Sequence, residues 1–309
     1  MPETWTFDDM PDQTGRVAVV TGASSGLGRV AAGQLAAHGA TVLMAVRDVA
    51  KGERVRAELS GDLEVHELDL ADLDSVRRFA DALHRTGRPV DLLLNNAGIY
   101  PKGRQLTPQG HEDAFGTNHL GHFALTGLLL DLFRPDHDPR VVSVGSGLYK
   151  SVRTGIDFDD LTATRSYNSG AAYARSKLAN TLFAGELDRR LRATGSPVRS
   201  FVAHPGLAST PMNATSSSRG RRAFLAFAKA VAGRTPEQGT LPLLFAATSP
   251  RAQTGVLLGP SLRKSDLRVH FAPIAPIGTD EVAAARLWTV SQELTGVAYL
   301  DPAEQVNRL

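Results

Sequence analysis

The sequence predicts an α/β fold: a single doubly wound domain, with helices on both faces of a mostly parallel seven-stranded sheet. Three observations predict it. Short apolar runs alternate with helical patterns along most of the 309 residues, and that rhythm builds a parallel sheet buried on both faces. A glycine-rich turn sits between the first strand and the first helix, the place where such sheets carry one. No linker divides the chain, so residues 1–309 read as one domain.

The elements follow in order. The first strand is Val17 to Val20, and a helix pattern runs from Gly26 to His38. The second strand is Thr41 to Val46, with a helix starting near Asp48. Leu63 to Leu68 is the third strand, followed by a helix over Leu73 to Leu83. Val90 to Leu94 is the fourth, and a long helix covers Glu112 to Leu132. Arg140 to Val144 is the fifth, Tyr173 to Leu191 a helix, and Val198 to Ala203 the sixth strand. Val256 to Leu258 is a short seventh. Residues 212–234, rich in Ser, Arg and Ala, break the rhythm; an insertion of this kind reads as a lid or substrate wall. The last helix, Asp280 to Thr295, has Trp288 on an apolar face, which reads as core or as a subunit contact.

Composition excludes several functions. There is no cysteine, so disulfides, thiolate nucleophiles and cysteine–zinc sites are out. The nine histidines lack ligand-like spacing, so no metal site is expected. A formal net charge of +2 implies no nucleic-acid partner. The polar, acidic start is no signal peptide. No apolar run reaches the roughly 18 residues that span a bilayer. No membrane anchor and a cytoplasmic location are therefore expected.

Chemistry enters with Tyr173 and Lys177, four apart on a predicted helix and so on one face. A tyrosine hydroxyl ordinarily titrates near about 10; a neighbouring ammonium favours the phenolate and lowers that value. The pair is a candidate general acid/base. Gly22, Ser24, Ser25, Gly26, Leu27 and Gly28 form the turn after the first strand, in the pattern T-G-x-x-x-G-x-G. Glycines let the backbone approach a pyrophosphate, and a helix N-terminus supplies N–H groups to it. At the end of the second strand an acid would suit the ribose of NAD, and an arginine the 2′-phosphate of NADP. The chain has Val46-Arg47-Asp48, so Arg47 points to NADP(H) and Asp48 to a helix cap. Asp69 and Leu70, after the third strand, lie where an adenine would rest; Asp69 has a helix N-cap as its alternative role. Asn96, Ala97 and Gly98 end the fourth strand at the cofactor edge.

The glycine turn, Asn95-Asn96-Ala97-Gly98 and the Tyr173/Lys177 pair, in this order, resemble the short-chain dehydrogenase/reductase superfamily over about residues 15–260. The resemblance implies a Rossmann-type domain with its strands in the order 3-2-1-4-5-6-7, and further site residues. Ser146, past the end of the fifth strand, takes the serine's role rather than Ser143, with Gly145 where a first serine is usual. Asn118 matches the helix asparagine and would hold a water linking Lys177 to solvent. Pro205, Gly206, Leu207 and Thr210 would contact the nicotinamide, while His204 reads as structural. Lys177 would bind the nicotinamide ribose and lower the Tyr173 pKa, Tyr173 would exchange the proton, and Ser146 would fix the carbonyl oxygen. The catalytic set is thus Asn118, Ser146, Tyr173 and Lys177.

Asn118-His119-Leu120-Gly121-His122-Phe123, Asp157-Phe158-Asp159-Asp160-Leu161 and the long spacing from Ser146 to Tyr173 resemble the narrower retinol dehydrogenase-like and WW-domain oxidoreductase-like group. The expected activity is NADP(H)-dependent hydride transfer to or from a carbonyl or alcohol of an apolar small molecule. Ile99, Tyr100, Leu148, Tyr149, Phe224 and Phe227 would line its site, or else pack the lid. The alternatives are reduction of an activated C=C bond, or a non-catalytic NADP(H)-binding regulator or scaffold. The resemblance allows a homodimer or homotetramer through the helices carrying Asn118 and Tyr173. The Ala-, Arg- and Gly-rich composition points to a bacterial source.

Overall fold

The computed structural model describes residues 3–208, 233–261 and 268–301. Seven parallel strands carry the architecture: β2 (Val17–Thr21), β3 (Thr41–Val46), β4 (Asp62–Glu67), β5 (Leu92–Asn95), β6 (Arg140–Val144), β7 (Arg199–Ala203) and β10 (Val256–Pro260). They lie in the order β4-β3-β2-β5-β6-β7-β10. This is the expected 3-2-1-4-5-6-7 arrangement. Two strands extend it beyond the expected seven. β11 (Arg268–Pro273) pairs antiparallel with β10, and β1 (Glu3–Thr4) pairs antiparallel with β11. Among the described residues the sheet therefore has nine strands. β1 is too short for a periodicity to show; its place is held by Trp5, which is buried and meets Phe245 edge-on at 5.7 Å. A separate pair, β8 (Leu207–Ala208) and β9 (Gly233–Arg234), is parallel. Thr210 and residues 212–232 of the expected lid, with Phe224 and Phe227, lie outside the described residues.

Alternation along each strand sorts side chains between two helical layers. In β2, Ala18 and Val20 face the layer of α1 (Gly26–Ala37), α2 (Val49–Ala57) and α6 (Pro236–Thr248). Val19 faces the opposite layer, built from α3 (Leu73–Thr86), α4 (residues 113–129) and α5 (Ser169–Ala193). The expected continuous helix from Glu112 is broken: α4 comprises Asp113–Phe115, a π-helical turn Gly116–Leu120, and Gly121–Leu129. Close packing accompanies the break. A Cβ at Gly121 would lie 2.3 Å from the Leu70 carbonyl oxygen, so the helix approaches the loop after β4 at a distance only glycine allows.

The last helix, α7 (Glu281–Thr295), packs on α4 and α5. Trp288 is buried there among Phe123, Phe183 and Tyr299. It belongs to this chain's core, which removes its alternative role as a subunit contact. The two halves of the sheet diverge between β2 and β5, and the C-terminal ends of these strands open the crevice where doubly wound sheets take ligands.

Candidate active site

On one side of the crevice, the turn after β2 reverses at Gly22, whose φ of +68° suits glycine. α1 then enters so closely that a Cβ at Gly28 would lie 2.4 Å from the Gly22 carbonyl oxygen and 2.5 Å from Asn96 Nδ2. Ser25 starts the helix without a side-chain hydrogen bond to its amides, which leaves the first turn suited to an anion. Thr21 joins this turn to the loop after β5. Its Oγ1 accepts from the N–H groups of Asn96 and Ala97, both at 2.9 Å, while Asn96 Nδ2 donates to Thr21 O at 2.7 Å. Ser24, Ser25, Gly26 and Leu27 are half-buried along the turn.

Arg47 is exposed at the end of β3, and Asp48 Oδ1 caps α2 by accepting from Lys51 N. The helix after β4 is capped by Asp72, not Asp69; Asp69 Oδ1 instead accepts from Ala71 N at 3.0 Å. Leu70 is mostly buried, packed in the core beside the end of β4. Pro205 and Gly206 are half-buried after β7, and Leu207 opens β8. His204 is held neutral by burial, which pushes it down to about 4, and its Nδ1 accepts from Gly206 N.

Tyr173 and Lys177 share one face of α5. The Lys177 side chain is buried, and its Nζ donates to Val144 O at 2.9 Å. Asn180, three residues on, donates to the same oxygen at 3.3 Å. Burial pushes the Lys177 ammonium down to about 8. Burial pushes the Tyr173 hydroxyl up to about 12, and the neighbouring Ser146 hydroxyl acts in the opposite direction. The expected lowering by Lys177 is thus corrected: Nζ turns to Val144 O and lies 5.7 Å from the Tyr173 ring centroid. Ser146 also accepts from Leu148 N at 3.2 Å. Ser143 lies buried within β6. A Cβ at Gly145 would already be 3.0 Å from Val202 Cγ2, which accounts for glycine at that position.

Asn118 sits in the π-turn, fully buried. Its Oδ1 accepts from Ile99 N at 2.7 Å, and its Nδ2 donates to Ile99 O at 3.0 Å and Ser176 Oγ at 2.9 Å. Ser176 in turn donates to Tyr173 O at 2.8 Å. A Cβ built on Gly98 would lie 3.2 Å from Asn118 Oδ1 and 3.5 Å from Lys177 Nζ, so glycine keeps the space before the ammonium clear. Glycine turn, uncapped helix start, exposed Arg47 and this cleared space together fit a nicotinamide dinucleotide.

Toward the substrate side, the Tyr100 ring lies 5.2 Å from that of Tyr173, and Leu148 is half exposed. Tyr149 is a correction. It is buried in the core, and its hydroxyl accepts from Ala275 N, so it lines no substrate site. Thr21, Ser176 and Asn180 were not singled out from sequence. The last two had a signal, standing one before and three after Lys177 on a helix already identified.

Residues 16–220 match the family model described as short chain dehydrogenase. Human retinol dehydrogenase 14 is 36% identical over 316 residues, covering 92% of this chain and 87% of its own. Polyprenol dehydrogenase of Mus musculus is 41% identical over 301 residues, covering 93% and 86%. A crystal structure from Mycobacterium Paratuberculosis superposes with a TM-score of 0.80 at 40% identity, covering 96% of this chain and 99% of that one. A Beutenbergia cavernae structure with bound NADP at low occupancy has a TM-score of 0.62 at 28% identity, covering 82% and 96%.

Lys177 carries its own pH signature. Its folded value of about 8 lies below the ordinary 10.5, so between these values the unfolded chain binds more protons and stability rises with pH. Lys177→Met removes that contribution. In urea denaturation from pH 7.5 to 10, the stability of the parent relative to the variant is expected to increase with pH. A difference that does not change with pH contradicts the buried ammonium.

Proposed function

Since the chain belongs to the short-chain dehydrogenase family and is retinol dehydrogenase-like, an oxidoreductase family acting on alcohols and carbonyls, we propose the following reaction for it. It transfers hydride between NADP(H) and a carbonyl or alcohol of an apolar small molecule, with Tyr173 as the general acid/base. The observation that carries this reading is the convergence of Tyr173 and Ser146 beside the Lys177 ammonium and the space cleared by Gly98. The nicotinamide, when bound, supplies or accepts the hydride.

The residues of the chain do the rest. Ser146 Oγ–H donates to the substrate oxygen and fixes its position. Tyr173, held up at about 12, keeps its proton at neutral pH and gives it to that oxygen in reduction; in oxidation it takes the proton back. Lys177 binds the ribose hydroxyls, and Asn118 holds Ile99 and Ser176 so that the loop and the tyrosine helix keep their spacing. The amides at the start of α1 bind the pyrophosphate, and Arg47 the 2′-phosphate. Main-chain and side-chain contacts from Ala97, Asp69 and the Pro205–Thr210 segment complete the cofactor site. Residues 212–234 are proposed as the substrate wall on their sequence. Retinol and polyprenol, for which the two relatives are named, are both apolar isoprenoid alcohols, which supports an apolar substrate. Among the described residues, no helix is long and apolar enough to cross a membrane.

NADPH oxidation against a panel of apolar ketones and aldehydes tests the reaction. Tyr173→Phe is expected to lower kcat about 10²–10⁴-fold, the usual contribution of a general acid, while NADPH still binds. Equal turnover in variant and parent contradicts the mechanism, and tight NADPH binding without turnover on any member favours a non-catalytic role. The cofactor preference has a separate readout. Arg47→Ala is expected to weaken NADPH about 10–100-fold, the worth of a charge-assisted contact, and to leave NADH nearly unchanged. Preference of the parent for NADH contradicts that assignment.

A further inference from the structure

His122 stands one helical turn after Asn118 in α4 and is 2% exposed. Both ring nitrogens have partners. Nδ1 lies 2.9 Å from Asn118 O, and Nε2 lies 3.0 Å from Thr21 Oγ1. A carbonyl oxygen only accepts, so the network assigns the proton to Nδ1. Burial pushes the imidazole down to about 4, against the pull of the Asn118 carbonyl, and the Lys177 charge adds to the lowering. With one proton on the ring, Nε2 accepts from the Thr21 hydroxyl. Leu94 O, at 3.1 Å from Thr21 Oγ1, is the competing acceptor for that hydroxyl proton.

The consequence concerns the loop that carries Gly98. Thr21 holds its beginning, through the N–H groups of Asn96 and Ala97. Asn118 holds its end, through the N–H and carbonyl of Ile99. One imidazole bonds to both holders. A histidine that merely filled core space would need neither contact, and phenylalanine would serve as well.

We propose that His122 is a positioning residue for the cofactor site: bonded to Asn118 O and to the Thr21 hydroxyl, it registers the Asn118 turn against the 96–99 loop and so sets the gap between Gly98 and Lys177. It touches no ligand and acts through Thr21 and Asn118. The inference rests on the reading that this crevice takes NADP(H).

NADPH affinity, read by the fluorescence of the bound nucleotide, tests it in the parent, His122→Phe, Thr21→Val and the double variant. Each single change is expected to weaken NADPH about tenfold, the cost of a buried hydrogen-bond partner lost. The double variant is expected to match the weaker single rather than their product, as for residues in one network. His122→Phe binding within twofold of the parent, or effects that multiply independently, overturns the proposal. Imidazole ¹⁵N spectra of the parent give a second readout that needs neither variant nor cofactor. They are expected to show His122 protonated on Nδ1 alone at pH 7; a proton on Nε2 overturns the arrangement. A parent that binds no NADPH fails the functional reading, and the spectrum then still decides the His122 bonds.

Discussion

A buried ammonium constrains this molecule more than any other single group. Lys177 lies within the protein with no carboxylate paired to it among the described residues. Its hydrogen bond in the structure goes to a main-chain oxygen, Val144 O. Taking a charge out of water without an opposite charge is costly, and the group answers by releasing its proton more readily. A core side chain would be selected against for this reason. A site that must hold a polar ligand gains from it, because a donor short of partners is prepared for the ligand's oxygens. The space cleared by Gly98 lies on that side of the ammonium.

Tyr173 shows the same effect with opposite sign. Burial raises its hydroxyl as it lowers the lysine, so both groups favour their neutral forms. The simplest idea about such a pair, an ammonium that draws the proton off a phenol, does not describe their geometry. Lys177 is directed at β6, where it donates to Val144 O, and Ser146 is the group that works against the effect of burial on the phenol. Around the pair the scaffold is tied together by short polar links. Asn118 connects the loop after β5 to Ser176, and Ser176 connects to the main chain of Tyr173 itself. The π-turn gives Asn118 its place in this network, and the approach of Gly121 to Leu70 O packs that turn against the sheet.

Much of this was legible in the residues. Apolar runs located the seven parallel strands, because the inner ones are buried on both faces and need an apolar stretch. The glycine turn, Asn96, Ala97 and Gly98, and the spacing of Tyr173 and Lys177 come to one crevice through that topology. What escaped notice depends on tertiary contact. β1, an edge strand, and β11, which it covers, take their pairing from neighbours rather than from a pattern of their own. A π-turn leaves no mark in helical periodicity. Tyr149 sits next to Leu148 in sequence, yet its side chain turns into the core. The direction of the Tyr173 shift required knowing where Nζ points, which spacing along a helix does not determine.

The account turns on where hydride goes when Tyr173 supplies the proton. Reduction of an apolar ketone with NADPH deuterated at C4, followed by mass and NMR analysis of the product, tests that directly. Deuterium on the carbinol carbon, drawn from one of the two C4 positions alone, is the predicted result. Deuterium on a carbon of a reduced C=C bond, or none in any product, contradicts it.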